Sequence, residues 1–536
     1  MTASTRRGAM AGSAVEVAFA AQLAAVRPEL DAAYAAALPG ARSAVLSRVW
    51  RALHVEPLPF VAECSAGRVT LKDGRIVSGP VDTPLYCASP PDDLVLGLDG
   101  QPQHHPADLL AAFGWPGSAR LVGELANSVA TLALARAGAA ACQRGADSLA
   151  DHEQSVVDGH SLHPCCRNRT GFSVADHLAY GPEHRPVVAL DLVAVPAEQC
   201  LLTGTWPDRL RDHGDILLPL HPWQTERVLP AYGIVPHVRA AIPTRPLMSL
   251  RTMAPVAGGP HVKTAVSTRM TGGVRDISGK SLRAGGHISA LLSNLVGRLG
   301  GKLDIQRSLA GAVVLVNGVP SADLAAVLRE APVVASGEIV MPVAALTARP
   351  PLGGPPVLCA LADDPVNWLA AFVELALPPL LTLMSWGVAL YPHDQNLLLV
   401  LRDRCPHRLI YRDLADIRVS PRRLARLGIA CSLLPERILS DDPVTLRRML
   451  YGSAFSYTLM GLVSTLAQGD SRLERRLWAL VARHVRAVYD ALPADTDTSA
   501  DRRALLSDPW PTKPHTLLRL DTPPNGTWAS VPNPLN

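Results

Sequence analysis

The clearest pattern of polar and apolar positions lies in residues 391–413, YPHDQNLLLVLRDRCPHRLIYRD. A polar cluster that ends at Asn396 runs directly into an apolar stretch over 397–401. A polar turn containing a proline follows at 402–407, and a second strand-like stretch occupies 408–412. Two such stretches separated by a short polar turn predict a β-hairpin.

The open end of this hairpin carries the first candidate site. If the turn is centred between Arg404 and Cys405, Asn396 and Asp413 lie opposite each other, close to the His393 imidazole. Two oxygen ligands and an imidazole suit a magnesium-nucleotide or a carboxylate. A polar hairpin mouth that binds nothing is the competing interpretation of this segment.

The rest of the pattern divides the chain into three parts. Alanine and leucine at helical spacing dominate 14–53 and 117–150, on either side of a short hairpin at 68–77. Short alternating stretches dominate 155–350, and helical patterns return from residue 365. The tail, 491–536, is rich in Pro, Asp and Thr and is expected to wrap the surface or to be partly mobile. The predicted strands of the middle part include 215–221, 246–253 and 261–271.

Two apolar stretches have features of targeting or membrane segments. Near the start of the chain, Glu16 and Gln22 interrupt an alanine-rich run, which favours an amphipathic helix over a signal peptide. Residues 369–390 are apolar enough to span a membrane, but Glu374 and the pair Pro378–Pro379 lie inside them. A buried helix with a break is therefore predicted, and no membrane segment is expected.

Length and composition narrow the class of protein. A chain of 536 residues is too long for one compact core, so two or three subdomains are expected. The chain is 48% hydrophobic and 18% charged with a net charge of +4, which is typical of a soluble enzyme. Without a long basic run, nucleic acid is not an expected partner. The nine cysteines form no C-x-x-C pair, which indicates a reduced, cytoplasmic protein.

A second candidate site lies in the segment HVKTAVSTRMTGGVRD, residues 261–276. An uninterrupted strand over 261–271 would place Lys263 and Thr271 on one face with Ser267 and Arg269, and Arg275 keeps the same parity. Cations and hydroxyls on one face beside a glycine pair suit a triphosphate or a polycarboxylate, because arginine forks match oxyanion geometry. A solvated strand face is the alternative. The preceding strand adds Ser249 and Arg251 on a shared face.

A third cluster is GHSLHPCCRNRTG. His160, His163 and Cys165 suggest a zinc site, but their spacing fits no standard zinc pattern. Two arginines beside two histidines favour another wall of an anion site instead. These arginines are Arg167 and Arg169.

Together and in this order, the motifs resemble those of the NRPS-independent siderophore (NIS) synthetases of the aerobactin-synthetase type. The resemblance rests on GHSLHPCCRNRTG, YGPEH, HPWQ, the K-x7-T-x3-R spacing at 263–275, and H-x-QN-LLL followed by Arg412 and Asp413. It implies an α+β fold shaped like a cupped hand, with mixed helices and antiparallel sheets. The implied parts are a largely helical thumb at 1–155, β-rich fingers at 156–364 and a mainly helical palm at 365–536 that carries the 391–413 hairpin.

The resemblance also implies an activity. Enzymes of this family use ATP and Mg²⁺ to adenylate a carboxylic acid, often citrate or a related di- or tricarboxylate, and pass the acyl group to an amine or hydroxyl. The chain is therefore expected to be an ATP-dependent carboxylate–amine ligase of siderophore biosynthesis, cytoplasmic and homodimeric, without a nucleic-acid or membrane partner. Two alternatives stay open: an amide-forming ligase of another natural-product pathway that uses a non-citrate acid, and a non-catalytic member that binds nucleotide or carboxylate.

Residue roles follow from the matched motifs. The resemblance assigns the catalytic roles to Lys263, Arg275 and His393. It assigns ATP binding to His163, Arg169, Ser249, Arg251, Lys263 and Arg275. It assigns substrate binding to Thr271, Arg275, His393 and Gln395. The metal ligands would be Asn396 and Asp413.

One departure from the family pattern concerns the metal. The family usually has Glu-x-His-Gly-Gln-Asn, and this chain has Tyr391 in place of the glutamate and Asp394 in place of the glycine. A tyrosine is a poor Mg²⁺ ligand at neutral pH, so Asp394 or Asp416 is the candidate replacement. Tyr391 favours the non-catalytic alternative, whereas the retained set of polar site residues argues against it.

Overall fold

The computed structural model describes residues 11–82, 86, 92–142, 148–350, 353–521 and 526–536. Within these residues, helices and mostly antiparallel sheets are combined along the chain, which confirms the predicted α+β class.

The first region is a group of helices packed beside a five-stranded antiparallel sheet. The predicted hairpin at 68–77 is confirmed, because Arg68–Leu71 pairs with Ile76–Ser78. Alanine and leucine at helical spacing give the helices apolar faces, which pack around Trp50 and Leu125. The helices are Ala11–Val26, Asp31–Val55, Pro106–Phe113 and Ala119–Ala141, and the strands are Val61–Ser65, Arg68–Leu71, Ile76–Ser78, Leu96–Leu98 and Gln101–Gln103.

The middle region is built on a nine-stranded sheet, against which the helix Gly279–Val296 packs. The predicted strand at 215–221 is confirmed as Asp215–Leu220. In spatial order the strands are Cys200–Gly204, Ser308–Val316, Val319–Arg329, His261–Thr264, Thr252–Pro255, Val238–Pro246, Val188–Pro196, Asp215–Leu220 and Arg211–Asp212.

The predicted strands at 246–253 and 261–271 differ from the structure in their bounds. The chain leaves the nine-stranded sheet after His261–Thr264, and Val266–Met270 belongs to a separate three-stranded sheet. Residues 247–251 form a turn before Thr252–Pro255, with Leu250 at a φ of 66°. Lys263 and Thr271 therefore do not share a strand face, and Ser249 and Arg251 lie in a turn rather than on a strand.

The last region is mainly helical around a four-stranded sheet. The hairpin of this sheet pairs Leu397–Arg402 with Cys405–Tyr411, as predicted. A nine-residue π-helical segment, Tyr451–Leu459, lies between two α-helices. The other two strands are Leu303–Ile305 and Glu338–Pro342, and the helices include Pro365–Ser385, Pro443–Leu450, Met460–Ala467, Ser471–Ala491 and Thr496–Ser507.

The helix Pro365–Ser385 runs through Pro378 and Pro379, so the predicted break is wrong. By length and composition it is the one helix of the described residues that could cross a membrane, and 67% of its apolar window is buried inside the protein. The core around it takes residues from both sides of position 364, including Leu346 and Leu380. The boundaries 1–155, 156–364 and 365–536 stay a prediction.

Shorter elements connect these regions. The short helices are Leu149–Gln154, Val174–Tyr180, Pro222–Arg227, Val343–Thr347, Val357–Leu361 and Pro421–Ala425. The short strands are Arg169–Thr170, Gly273–Arg275, Val388–Ala389, Arg418–Val419, Trp510–Thr512 and Ala529–Val531.

Residues 510–521, here called the C-terminal strap, cross back to the first region. The buried Glu56 carboxylate accepts hydrogen bonds from the backbone N–H groups of Thr516 and Leu517, each at 2.8 Å. Arg519 forms a two-pronged ion pair with the buried Glu124. The strap therefore crosses the molecule, but it is largely buried rather than wrapped over the surface, and buried polar contacts anchor it.

Candidate functional site

A cavity of about 490 Å³ lies where the three regions meet. Its walls come from the loop after the helix Leu149–Gln154, the nine-stranded sheet, the 391–413 hairpin and the C-terminal strap. All of the predicted site residues line it: His163, Arg169, Ser249, Arg251, Lys263, Thr271, Arg275, His393, Gln395, Asn396 and Asp413. The residues thus line one cavity, although Lys263 and Thr271 do not share a strand and Ser249 and Arg251 lie in a turn.

An ion-pair cluster centred on Asp413 joins the sheet to the hairpin. The Asp413 Oδ1 atom lies 2.9 Å from Lys263 Nζ and 2.8 Å from Arg329 Nη2. Lys263 and Arg329 are on neighbouring strands, which the pairing of His261 with Arg329 holds in register. One carboxylate therefore fixes the end of the hairpin against the sheet.

The cluster carries more positive than negative charge. Burial and the neighbouring Arg329 lower the pKa of Lys263 to about 7, in spite of Asp413. Burial and Arg275 lower the pKa of Arg251 to about 10. Burial alone would raise the pKa of Asp413, but Arg329 and Lys263 hold it well below its usual value. Three arginines, Arg251, Arg275 and Arg329, and Lys263 outnumber the nearby carboxylates of Asp413 and Asp416, so further negative charge would stabilise this site.

The hairpin register differs from the prediction by one residue. Leu397 pairs with Tyr411, and the Arg412 N–H donates a 3.0 Å hydrogen bond to the Asn396 carbonyl. Asn396 therefore lies opposite Arg412, and the predicted opposition of Asn396 and Asp413 is wrong. The turn is shorter than expected, and an irregularity beside Val400 shifts the pairing. Asn396 and Asp413 still line the same cavity.

Two of the predicted ATP-binding residues have structural partners. Arg169 donates to both oxygens of Glu183, at 2.6 and 2.9 Å, and the Glu183 side chain is fully buried. The Ser249 hydroxyl accepts a 3.2 Å hydrogen bond from the Thr252 N–H and thereby stabilises the turn before the strand. This geometry favours a structural role for Arg169 over a contact with ATP.

One lining residue that was not predicted from the sequence, His515, lies beside the predicted His163 and its neighbour His160. The rings of His160 and His163 lie 4.6 and 4.9 Å from the ring of His515, measured between centroids. Burial lowers the pKa of His163 to about 3 and holds those of His160 and His515 well below the usual value. These imidazoles are therefore neutral. The unpredicted lining residues also include Tyr457, Lys513 and Arg519.

The departures at Tyr391 and Asp394 also lie at the cavity. Burial and Asp416 raise the pKa of Tyr391, so its phenol stays protonated at neutral pH. Its ring faces a cation, because Lys513 Nζ lies 5.7 Å from the ring centroid. The Asp394 Oδ1 atom lies 3.7 Å from His393 Nδ1. Asp416 is exposed and lines the cavity.

A second cavity of about 270 Å³ adjoins the first. The two cavities share three cations of the cluster and two carboxylates, namely Arg251, Lys263, Arg275, Asp413 and Asp416. Beyond the cluster, the walls of the smaller cavity combine hydroxyl side chains with apolar residues and glycines, which include Ser278, Ser281, Ile277, Leu282, Gly285 and Gly286. The site thus consists of a larger and a smaller compartment on either side of a cationic boundary.

Comparison with known proteins agrees with this architecture. Residues 148–348 match the model of the IucA / IucC family, and residues 366–526 match a model described as a ferric iron reductase FhuF-like transporter. Residues from both matched segments line the same larger cavity. The two segments therefore build one site.

Two solved structures share the fold over nearly their whole length. The petrobactin biosynthesis protein AsbB from Bacillus anthracis str. Sterne aligns with a TM-score of 0.79 at 19% identity, over 94% of this chain and 98% of that chain. The ATP-bound aerobactin synthetase IucA from a hypervirulent pathotype of Klebsiella pneumoniae gives 0.75 at 21%, over 92% and 99%. The predicted NIS-synthetase fold is confirmed.

Curated relatives align over shorter stretches. A D-ornithine–citrate ligase of Staphylococcus aureus is 27% identical over 139 residues, which are 25% of this chain and 21% of that protein. The rhizobactin siderophore biosynthesis protein RhbC of Rhizobium meliloti is 33% identical over 97 residues, 14% of this chain and 17% of that protein. The aligned parts span about a fifth of the relatives' lengths.

We predict that Arg275 supplies binding energy for a polyphosphate. Arg275 lines both cavities and forms no ion pair with any described residue. Arg275→Ala should weaken the binding of inorganic tripolyphosphate, measured by calorimetry, about tenfold or more, since a charge-assisted hydrogen bond contributes about 1.5–3 kcal/mol. Arg298→Ala, which removes an exposed arginine outside both cavities, is the control. Equal affinities for Arg275→Ala and wild type would contradict the assignment.

Proposed function

We propose, from the match of residues 148–348 to the IucA / IucC family and from the NIS-synthetase fold, that the chain is an ATP-dependent carboxylate–amine ligase of siderophore biosynthesis. The observation that carries the proposal is the cation cluster of Arg251, Lys263, Arg275 and Arg329 between two cavities. A ligase that joins ATP to a carboxylate must bring two anions together, and such a cluster neutralises both.

The reaction has two balanced steps. In the first, a carboxylate oxygen of the acid attacks the α-phosphorus of ATP, the bond to the β-phosphate oxygen breaks, and pyrophosphate leaves. In the second, the amine or hydroxyl of the other substrate attacks the acyl carbon, AMP leaves, and the nucleophile gives up a proton. The cleft between the regions shields the acyl-adenylate from water.

Different residues of the larger cavity would bind the phosphates and the acid. Lys263 and Arg275, at the boundary, would hold the phosphates and offset the charge that develops on them. Thr271, His393 and Gln395 would hold the acid. Citrate or a related di- or tricarboxylate is the proposed acid, because one relative, 27% identical over 139 residues, is a D-ornithine–citrate ligase.

We place the nucleoside in the smaller cavity. Its walls combine apolar side chains with two consecutive glycines, Gly285 and Gly286, and a flat base can lie close to such a surface. A nucleoside there directs its phosphates to the shared cations. The acid and the second substrate then share the larger compartment.

A leucine at position 286 should block the nucleoside. The space that a Cβ atom on Gly286 would enter is empty, and Leu is a better helix former than Gly by about 1 kcal/mol. Gly286→Leu should therefore keep or raise the melting temperature and weaken ATP binding at least tenfold by calorimetry. The control is Gly123→Leu, at an exposed position of the helix Ala119–Ala141 with equally open surroundings. ATP affinity equal to that of the control would rule out this placement.

The residues present suit Mg²⁺. Asn396 and Asp413 offer oxygen donors at the cavity, and the two cations that contact Asp413, Lys263 and Arg329, both bind the same oxygen, Oδ1. The described residues contain no group of three or more His, Cys, Asp or Glu side chains that could hold a metal ion. Mg²⁺ commonly uses one or two protein carboxylates and completes its shell with phosphates and water. When bound, it would neutralise phosphate charge.

We predict a metal phenotype for Asp413→Asn. Removing one negative charge from the proposed metal site should raise the Mg²⁺ concentration for half-maximal activity several-fold. Asp304→Asn, which changes an exposed carboxylate paired with Arg408 at 3.2 Å, should leave the titration unchanged. Identical Mg²⁺ titrations for Asp413→Asn and wild type would mean that Asp413 only holds the hairpin against the sheet.

Two further features are proposed on the family resemblance. The protein would be cytoplasmic, which agrees with the eight described cysteines all being free. It would also form a homodimer, which sedimentation analysis can test. Nucleic-acid and membrane partners are not expected.

The function itself is tested by ATP–pyrophosphate exchange. We expect exchange that depends on one acid from a panel of citrate, succinate, 2-oxoglutarate and amino acids, and that needs Mg²⁺. The alternative that binds without catalysis rests on Tyr391, whose protonated phenol replaces the family's glutamate. That alternative predicts ATP binding with no exchange for any acid. Exchange with an amino acid alone would favour the ligase of another natural-product pathway.

A further inference from the structure

We infer that Glu153 is a positioning residue, which sets the distance between the two walls of the larger cavity. The inference rests on the proposed function, since it assigns Glu153 a part in aligning ATP with the acid. Neither cavity is lined by Glu153 or by its partner Arg412, so both act through other residues.

The Glu153 carboxylate bridges two separate segments. Its side chain is fully buried at the end of the short helix Leu149–Gln154. One oxygen, Oε1, accepts from Arg412 Nη1 at 2.5 Å. The other, Oε2, accepts from the backbone N–H of Met248 at 2.9 Å. A single side chain therefore holds a turn of the middle region and a residue of the hairpin at once.

One of these contacts is made at a residue that lines the larger cavity, Met248, and the other at a residue next to one. Met248 precedes Ser249 in the 247–251 turn, which also carries Arg251. Arg412 precedes Asp413 and donates from Nε to the Gln395 carbonyl at 3.0 Å. A change at Glu153 would thus shift Arg251, at the proposed phosphate site, through the turn. It would shift Gln395, at the proposed acid site, through Arg412.

Neighbours of Glu153 make the helix a rigid base for this bridge. Gln154 donates to the Pro246 carbonyl at 3.0 Å, and Asp151 pairs with Arg245. Both partners belong to the strand Val238–Pro246, immediately before the turn. The helix therefore fixes the strand, and Glu153 relates that strand to the hairpin.

The test compares Glu153→Gln with a matched change elsewhere. Glutamine keeps the shape and one acceptor but loses the charge that attracts Arg412. Because an error of about 1 Å in the alignment of reacting groups can cost about 100-fold in rate, exchange turnover per folded molecule should fall about 10- to 100-fold. ATP binding, measured by calorimetry, should weaken several-fold.

The matched control is Asp501→Asn. Asp501 is equally buried, accepts from Arg423 and Arg447 at 2.8 Å each, and lines neither cavity. It should lower the melting temperature as much as Glu153→Gln does, because both break a buried ion pair, while ATP affinity and turnover stay at wild-type values. The double variant of Glu153→Gln with Arg412→Gln should be no less active than the worse single variant, since the two residues form one link.

The outcomes separate this inference from the proposed function. If Glu153→Gln loses thermal stability but keeps wild-type ATP affinity and turnover, Glu153 is merely structural and the inference is overturned. If wild type shows no exchange with any acid, the ligase proposal fails, and the ATP affinities of Glu153→Gln and Asp501→Asn still decide the positioning role. A wild-type protein that binds no ATP would overturn both.

Discussion

The contact of Asp413 with Lys263 and Arg329 is the interaction on which the site depends. It brings the end of the hairpin to the edge of a sheet that lies far away in sequence, at distances of 2.8–2.9 Å. It also leaves the boundary between the cavities with an excess of positive charge. Burying cations is unfavourable, and the lowered pKa of Lys263, to about 7, reflects that cost. Phosphate groups at this boundary would offset the excess positive charge.

Buried ion pairs between distant segments hold the rest of the cleft. Glu153 joins Arg412 and the 247–251 turn, and Glu124 joins Arg519 of the C-terminal strap to the first region. A buried pair adds little net stability compared with apolar packing, but breaking it is costly. Such pairs therefore suit a site in which three regions must keep one arrangement.

Sequence patterns predicted the local elements better than their assembly. The 68–77 and 391–413 hairpins and the strand at 215–221 carry their own turn and alternation signals, which explains why they are confirmed. The break after Thr264 has no such signal, because the alternation continues across Ala265 while the chain changes sheets. The one-residue register error has a similar origin, since the prediction assumed regular pairing and the structure has an irregularity beside Val400.

The site residues converge for a different reason. They were placed by family motifs, whose order and spacing persist even where the strand argument was wrong. Residues outside those motifs were missed, among them Lys513 and His515, which reach the cavity only because the strap crosses the molecule. A basic residue and a histidine in a Pro-rich tail carry no local sign of that path. The π-helical segment that places Tyr457 in the cavity gives no clear signal in the sequence either.

The central claim is that the acid attacks the α-phosphorus of ATP at the cationic boundary. The most direct measurement supplies the acid with ¹⁸O in its carboxylate groups, adds the amine substrate, and analyses the released nucleotide by mass spectrometry. Our account predicts AMP that carries one ¹⁸O atom, because the attacking carboxylate oxygen stays on phosphorus when the amine displaces AMP. Release of ADP with the label in inorganic phosphate would place the attack on the γ-phosphorus and contradict it.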